Sequence, residues 1–423
     1  MNLPGGDEVR NTADAVARRS YGKLVAFLAA RTRDVTAAED ALSEAFASAL
    51  ADWPVNGCPR NPEGWLLTVA RRKLIDGVRR RQTGDAASAQ LQILAEGLED
   101  AAAQAEKDMA IPDKRLALLF ACAHPAIEAG IRAPLMLQVV LGLDGEKIAS
   151  AFLVSPAAMR KRLSRAKEKI QQAGIPFSIP EREELPHRLD TVLAAIYAGF
   201  AEGWSDPSDT DAIRRDLTDE AIFLARLVVE LMPQEPEALG LLALMLHAEA
   251  RRHARRNAAG EYVPLAEQDP VLWNSPMIEE AEALLYRASA FETIGRYQLE
   301  AALQSAHVYR RRTGYNNWAE VVQIYDALVA MTDSPVVAIN RALALAELHG
   351  AHAAAAAIKD IATDERLTQY QPYWAARAEL FSKAGAYQEA REAYEIAIGL
   401  EREPSVRAFL QKRQAALRGA KSS

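Results

Sequence analysis

The sequence predicts an all-α protein, and three observations support this fold class. Residues 61–81 and 142–169 each place apolar residues three and four positions apart, which is the spacing of an amphipathic helix. The C-terminal half is rich in Ala and Leu at the same spacing and shows almost no strand-like alternation. Prolines and glycines recur at the edges of these segments, where helices begin and end. A chain of 423 residues is too long for one typical core and suggests about three structural units.

The first predicted helix, residues 61–81, has a strongly basic face. Pro62 lies near its first turn, and its apolar positions are Leu66, Val69, Ala70, Leu74 and Val78. Its cations are Arg71, Arg72, Lys73, Arg79, Arg80 and Arg81. Trp65 lies at the start of the helix, and an aromatic ring beside cations can stack on an unpaired base. A Trp in a helical apolar pattern also suits a protein core, so both interpretations stay open.

Residues 83–108 predict a flexible linker. The stretch from Thr83 to Asp100 is rich in Ala, Gln, Gly and Ser and holds few large apolar residues. Such a linker lets two binding units reach separate sites on one nucleic acid, and their joint binding gains from effective concentration.

Residues 142–169 predict a helix, a tight turn and a second, basic helix, which is the outline of a helix-turn-helix DNA reader. Ile148 and Phe152 face inward from the first helix. Ser155 can cap the second helix with its hydroxyl, and Pro156 suits the first helical position.

The two faces of this second helix differ in chemistry. Its apolar stripe consists of Met159, Leu163 and Ala166. The candidate DNA-contacting residues around that stripe are Ser155, Ala157, Arg160, Lys161, Arg162, Ser164, Arg165 and Lys167. An ordinary solvated helix can carry similar charge, but the short helix and turn that precede it favour DNA reading.

A second boundary is predicted at residues 175–186, because Pro176, Pro180 and Pro186 are unfavourable inside helices. The helical C-terminal domain then covers residues 187–423.

Within this domain the pattern predicts helical repeats. Residues 385–400, followed by Pro404, match the second helix of a tetratricopeptide unit, and weaker copies precede them at a period of about 34 residues. A solenoid of this kind presents a concave face to a peptide or a domain. The alternative is that these helices only cover the front of the chain.

Charge separates the two halves of the chain. Residues 1–175 hold 24 Lys and Arg against 21 Asp and Glu, and the remainder holds 26 against 36. The front is therefore the part suited to DNA, whereas the acidic C-terminal part indicates solubility, a protein partner or weak repulsion from DNA.

Several other classes of protein are disfavoured. Cys58 and Cys122 cannot form a disulfide framework, and Cys122 with His124 lacks further ligands at zinc spacing. No glycine-rich phosphate loop, Gly-x-Ser-x-Gly or His-Glu-x-x-His pattern occurs. We also find no signal peptide and no apolar run of about 20 residues. We therefore expect a cytoplasmic protein that has no cofactor, no enzymatic activity and no membrane partner.

Four segments, in this order, resemble regions 2 and 4 of bacterial sigma-70-type factors of the extracytoplasmic-function class. They are residues 36–46, Trp53-Pro54, residues 61–81 and residues 142–169. Residues 111–126, 239–247 and 334–342 resemble the branch of that class with a tetratricopeptide-like extension. The domains implied by the resemblance are region 2 in 1–82, the linker 83–108, region 4 in 109–174, the linker 175–186 and the extension 187–423.

The resemblance implies a role for each region. Region 2 would dock on the β′ clamp helices of core RNA polymerase and capture the melted start-proximal promoter element. Region 4 would read the upstream element as duplex DNA and contact the β flap. Carried over, the polymerase-binding residues are Glu39, Asp40, Glu44 and Phe46, and those for the start-proximal element are Trp65, Arg71, Arg72, Lys73, Arg79 and Arg80. A contact between extension and sigma core is implied for Phe200, Glu202, Gly203 and Trp204, although a packed helix end would explain the aromatics equally well.

The resulting hypothesis is an alternative sigma factor whose C-terminal domain regulates its activity, with a possible protein partner on that domain. The main alternative is a stand-alone helix-turn-helix regulator with a repeat domain as sensor. A regulator has no use for residues 39–46 or for Trp65 beside a basic face, which favours the sigma factor. A repeat scaffold with an incidental basic front would require that neither basic helix binds DNA.

Overall fold

The computed structural model describes residues 6–81, 113–204, 212–350 and 367–419, apart from positions 153, 182, 333 and 402, together with residues 352 and 358. The chain divides into two compact units, Met1–Val228 (unit 1) and Val229–Ser423 (unit 2). In the described residues the regular structure is helical except for an isolated bridge between Arg256 and Tyr262, which confirms the all-α prediction. No helix in these ranges is long and apolar enough to cross a membrane.

Unit 1 begins with three helices that pack on one another: α1 (Gly6–Thr32), α2 (Val35–Asn56) and α3 (Pro62–Arg81). Asp34 caps α2, because its carboxylate accepts the Ala37 N–H at 2.9 Å. Glu63 joins α3 to α1 by accepting from the Ser20 hydroxyl at 2.5 Å and from Lys23 Nζ at 3.2 Å.

The remaining helices of unit 1 are α4 (Arg115–Cys122), α5 (Ala129–Val139), α6 (Gly145–Ala151), α7 (Pro156–Gln172) and α8 (Leu185–Trp204). A further helix, α9 (Ala212–Leu231), follows them. α6 packs on α7, and α8 packs on both α4 and α5. The predicted linker 83–108 lies outside the described residues.

α1 also packs on α4 and α5, so the helices of the two predicted sigma regions share one compact unit. A close approach occurs at Gly22, where a Cβ atom would lie 1.9 Å from the Val140 carbonyl oxygen. Only glycine fits here, because a backbone atom blocks the space of any side chain.

The proposed functional boundary at 175–186 stays a prediction. In the structure the compact unit that holds α4–α7 continues through α8, and Gly199 of α8 lies directly against the Leu141 side chain.

Unit 2 consists of α10 (Pro236–Glu249), α11 (Ser275–Ser289), α12 (Arg296–Thr313), α13 (Trp318–Met331), α14 (Pro335–His349), α15 (Gln371–Lys383), α16 (Tyr387–Leu400) and α17 (Pro404–Gly419) among its described residues. Three short 3-10 helices lie between α10 and α11. Neighbouring helices pack in pairs: α10 on α11 and α12, α13 on α14, α15 on α16, and α16 on α17.

The segment with the clearest repeat pattern has the local structure that its sequence predicts. Gly385, with φ of 78°, separates α15 from α16. Ala390, Ala393 and Ala397 of α16 are buried in a cluster that also holds Phe381 of α15. Small side chains thus allow the two helices to approach closely. Whether the array is of the tetratricopeptide type stays a prediction.

Candidate nucleic-acid interface

The basic helix α7 begins where the sequence predicts. The Ser155 hydroxyl accepts the Ala158 N–H at 3.3 Å, and Pro156 occupies the first helical position. The predicted stripe is buried: Met159, Leu163 and Ala166 are 1%, 2% and 5% exposed, and Ile170 extends it by one turn. On the preceding helix α6, Ile148 is also buried.

Most of the predicted DNA-contacting residues of α7 lie on its exposed face. The exposed members are Ser155, Ala157, Arg160, Lys161, Arg162, Ser164 and Arg165. Arg160 donates only to the Pro156 carbonyl oxygen, at 3.4 Å, and Ser164 donates to Glu168 at 3.2 Å. None of the four cations in this set forms an ion pair with a described residue, so their charges are directed to solvent.

A shallow groove lies beside this face. A cavity of about 200 Å³ opens between α7 and the start of α5, and its wall includes Arg162, Arg165 and Lys169 against one carboxylate, Glu128. Three cations around a small groove suit an anionic group such as a phosphate.

Lys167 differs from its neighbours because it pairs with a residue of α2. Its Nζ lies 2.7 Å from Glu39 Oε2, and the two side chains are only 12% and 15% exposed. One helical turn further on, Gln171 donates to the Asp34 carboxylate at 2.9 Å. One predicted DNA-binding residue and one predicted polymerase-binding residue therefore cover each other.

Burial shapes the chemistry of this pair. It raises the pKa of the Glu39 carboxyl, and the charge and hydrogen bond of Lys167 offset part of that increase. Among the other predicted polymerase-binding residues, Asp40 and Glu44 are exposed and Phe46 is half-buried. Glu44 pairs with Lys73 of α3 at 3.0 Å, which brings a predicted polymerase contact next to a predicted DNA contact.

The predicted single-strand face of α3 is partly embedded in the fold. The Trp65 ring is half-buried and meets the fully buried Trp53 ring edge-on at a centroid distance of 5.5 Å. Arg71 is half-buried and Arg72 is exposed, whereas the side chains of Arg79 and Arg80 lie outside the described residues. The position of Trp65 is compatible with both core packing and base stacking, because the ring packs on the core and keeps part of its surface exposed.

The predicted contact of the extension lies at the end of α8. Phe200 is buried and stacks on Tyr197 at a centroid distance of 6.4 Å. Gly203 is buried and Trp204 is half-buried, and the Glu202 side chain lies outside the described residues.

Sequence reasoning gave no role to Arg115, which is buried at the start of α4. Its guanidinium pairs with Asp113 at 2.6 Å and with Glu220 of α9, and it lies over the Phe223 ring at 4.5 Å. The available signal was a single cation in an otherwise apolar helix, which implies a buried partner.

Comparison with known families assigns these helices. Residues 16–83, which span most of α1 and all of α2 and α3, match the family Sigma-70 region 2. The front of the chain is therefore a sigma-70 region 2 domain, and this domain together with the sigma-factor relative described below supports membership of the sigma-70 family of transcription initiation factors. Such factors interact with core RNA polymerase and promoter DNA, and the chemistry is performed by the polymerase. The chain is therefore not an enzyme.

Two relatives illustrate the extent of the similarity. The uncharacterized protein R00370 of Rhizobium meliloti is 39% identical over 90% of this chain and 89% of its own length. The probable RNA polymerase sigma factor RfaY of Xanthomonas campestris pv. campestris is 30% identical over 45% of this chain and 46% of its own length. Residues 188–289 match a family of unknown function, DUF6596. A search of the solved structures gives no match.

Proposed function

We propose that this chain is an alternative sigma factor of the extracytoplasmic-function class, which directs core polymerase to specific promoters, and that its C-terminal helical-repeat domain regulates its activity. The observation that carries the proposal is the exposed cationic face of α7 in the same compact unit as region 2. A capped helix with a buried apolar stripe and four solvent-directed cations suits the recognition helix of a helix-turn-helix unit.

In this proposal α2 docks on the β′ clamp through Asp40, Glu44, Phe46 and Glu39. The face of α3 holds the melted start-proximal element. α7 reads the upstream element, and region 4 also contacts the β flap. The end of α8, with Phe200, Glu202, Gly203 and Trp204, couples the extension to the sigma regions.

The pairing of Glu39 with Lys167 adds a step to this mechanism. Neither group can bind an external partner while it is covered by the other. We infer that binding to core polymerase separates α7 from α2, which releases Glu39 for the clamp and Lys167 for a phosphate. The pair would then favour the polymerase-free arrangement.

In vitro transcription tests the proposed function. Purified core polymerase is supplied with promoter fragments from the source genome, with and without this protein. We expect specific transcripts only when the protein is present. Duplex DNA binding without any protein-dependent transcript, from the full chain and from a chain that ends after Leu231, would instead support the stand-alone regulator.

A further inference from the structure

Unit 2 contains a large open cleft that the proposed promoter contacts do not use. Its volume is about 890 Å³, which lies in the range of ligand-binding clefts. The wall is formed by α12–α17 and by residues 262–266. Its aromatic members are Tyr262, Trp318, Tyr325, Tyr394 and Phe409.

The cationic side chains of the wall differ in whether they form an ion pair with a carboxylate of the wall. Both carboxylates of the wall contact Lys383, which pairs with Glu347 and lies 4.0 Å from Glu379. Glu379 also accepts the Tyr394 hydroxyl at 3.2 Å. These carboxylates therefore have partners within the wall.

Arg310 and Arg311 form hydrogen bonds only with neutral groups among the described residues, although the charge of Glu347 also acts on Arg310. The Arg310 guanidinium donates to Asn317 Oδ1 at 3.1 Å and lies 3.8 Å from the centre of the Trp318 ring. Arg311 donates to the Gln268 carbonyl oxygen at 2.7 Å, while its Nε is buried with no hydrogen-bond partner in the described part of the chain.

A third guanidinium lies behind this pair. Arg251 is 7% exposed, and it donates to the His247 carbonyl oxygen at 3.2 Å and to Gln304, a residue of the cleft wall. No described carboxylate pairs with it. Three neighbouring guanidinium groups with neutral partners create a positive potential that an anion entering the cleft would neutralise.

His307 orients Arg310 without neutralising its positive charge. Burial, with the charges of Arg310 and Arg251, holds the pKa of His307 at about 4, so the ring is neutral at neutral pH. Its Nδ1 lies 2.7 Å from the Arg310 guanidinium and accepts a hydrogen bond from it, which orients the guanidinium. The hydrogen bonds that orient Arg310 therefore end on neutral acceptors, His307 and Asn317, and not on a carboxylate.

A further group in the wall, Asn340, indicates what kind of molecule could carry the anionic group. The Asn340 side chain is exposed, lines the cleft and has no hydrogen bond to any described residue. A free amide offers one acceptor and two donors, which match the N–H and C=O of an extended peptide. The aromatic rings along the cleft suit apolar side chains of the same peptide.

We propose that this cleft binds an extended acidic peptide segment of a partner protein, with a carboxylate on Arg310 and Arg311, its main chain on Asn340 and an apolar side chain against Trp318 and Tyr325. The proposal deepens the regulatory role suggested for the C-terminal domain, because it names the class of partner. The positive charge of the cleft arginines also explains how a domain in the acidic part of the chain can hold an acidic ligand.

Fluorescence polarisation with the full chain tests this binding. The probes are two fluorescein-labelled pools of nonapeptides with randomised flanks and either Glu-Glu or Gln-Gln at the centre. We expect the Glu pool to bind about tenfold or more tightly than the Gln pool, as one charge-assisted hydrogen bond predicts. Added salt should weaken binding of the Glu pool.

Variants locate the site. The double substitution Arg310→Gln and Arg311→Gln should reduce the affinity for the Glu pool to that for the Gln pool, and Asn340→Ala should weaken both pools. Arg312→Gln is the matched control, because Arg312 is exposed on the same helix, donates to Ser275 and does not line the cleft. Asn340 is exposed, so its variant keeps the test informative if the arginine variant unfolds.

Three results would overturn the proposal: equal affinity for the two pools, unchanged Glu-pool affinity in both cleft variants, or tighter Arg310-dependent binding of a single-stranded oligonucleotide. Transcription assays with the double arginine variant distinguish a failure of the peptide-binding proposal from a failure of the sigma-factor proposal. A variant that loses peptide binding but still supports promoter-specific transcripts would separate the two activities.

Discussion

At the level of single residues, Glu39 and Lys167 show how two predicted binding residues can be covered by the fold. The two are far apart in the sequence, yet they pair at 2.7 Å, and their side chains are only 15% and 12% exposed. A buried charge whose partner is removed is costly, whereas removing both charges is nearly neutral.

A double-mutant cycle measures this pair. Lys167→Met should lower the free energy of unfolding of unit 1 by about 2 kcal/mol, because it leaves the Glu39 carboxylate buried and unpaired. The combination with Glu39→Gln should recover at least about 1 kcal/mol of that loss. Urea denaturation gives the values, and strictly additive effects of the two substitutions would contradict the pairing.

His247 makes the stability of unit 2 depend on pH. It is fully buried, and burial, with the charges of Arg251 and Arg312, lowers its pKa from 6.5 to about 4, although Glu282 lies 3.5 Å from its Nε2. On acidification the unfolded chain takes up the proton first, so the stabilisation is complete above pH 6.5 and is lost as the pH falls towards about 4.

Chemical denaturation across this pH range tests the expectation. The wild-type free energy of unfolding should fall by roughly 3 kcal/mol from this residue alone. In His247→Gln the slope between these pH values should be clearly smaller. A variant with the same slope as the wild type would mean that His247 does not titrate as described.

At the level of secondary-structure elements, helix α7 presents its cations where a duplex could reach them. Arg160→Ala with Lys161→Ala should weaken binding to the upstream promoter element by about 1–3 kcal/mol if the two side chains reach base edges, and by less if they touch only phosphates. Sequence preference should relax only in the first case.

The measurement is a titration of labelled promoter duplex with the full chain, at several salt concentrations. Lys412→Ala is the control, because it removes an exposed cation of unit 2. An equal loss of affinity in the control would attribute the effect to net charge rather than to α7.

The packing of α1 against the end of α5 can be tested with two glycines. Gly22→Ala should destabilise unit 1 by about 3 kcal/mol, because the new Cβ would overlap the Val140 carbonyl oxygen. Gly130→Ala, in the first turn of α5, meets nothing within 4 Å and should be neutral or stabilise by up to about 1 kcal/mol. Thermal unfolding compares the two, and similar melting temperatures would exclude this close contact.

At the level of the whole molecule, the boundary between the two units at Val228 indicates where a truncation should be placed to separate them. A truncation after residue 183 would remove α8 from α4 and α5 and would take Glu220 away from the buried Arg115. A truncation after Leu231 keeps both.

We therefore expect the chain that ends after Leu231 to unfold cooperatively and the chain that ends after residue 183 to be much less stable, by about 3 kcal/mol or more. Circular dichroism during heating measures this difference. If the longer truncation is folded and also changes transcriptional output relative to the full chain, unit 2 has a regulatory role. Unchanged output would argue against that role.

Much of the fold follows from local patterns that the sequence carries by itself. The all-α class, the start of α7 at Pro156, its buried stripe and the basic character of its outer face depend on helix capping and on the 3.6-residue period. Region 2 was also recognisable from its residues and their order. The helix features involve residues within a few turns of one another, and region 2 was recognised from the order of such segments along the chain.

The tertiary structure alone decided which of the predicted surface residues are covered. The pairs Glu39 with Lys167 and Arg115 with Glu220 join residues 128 and 105 positions apart, and the wall of the cleft is built by helices α12–α17. Periodicity determines which face of a helix is apolar, but it does not determine which helix that face meets. The partners of buried charges are set by long-range packing, where one close contact such as that of Gly22 with Val140 fixes the register of two helices.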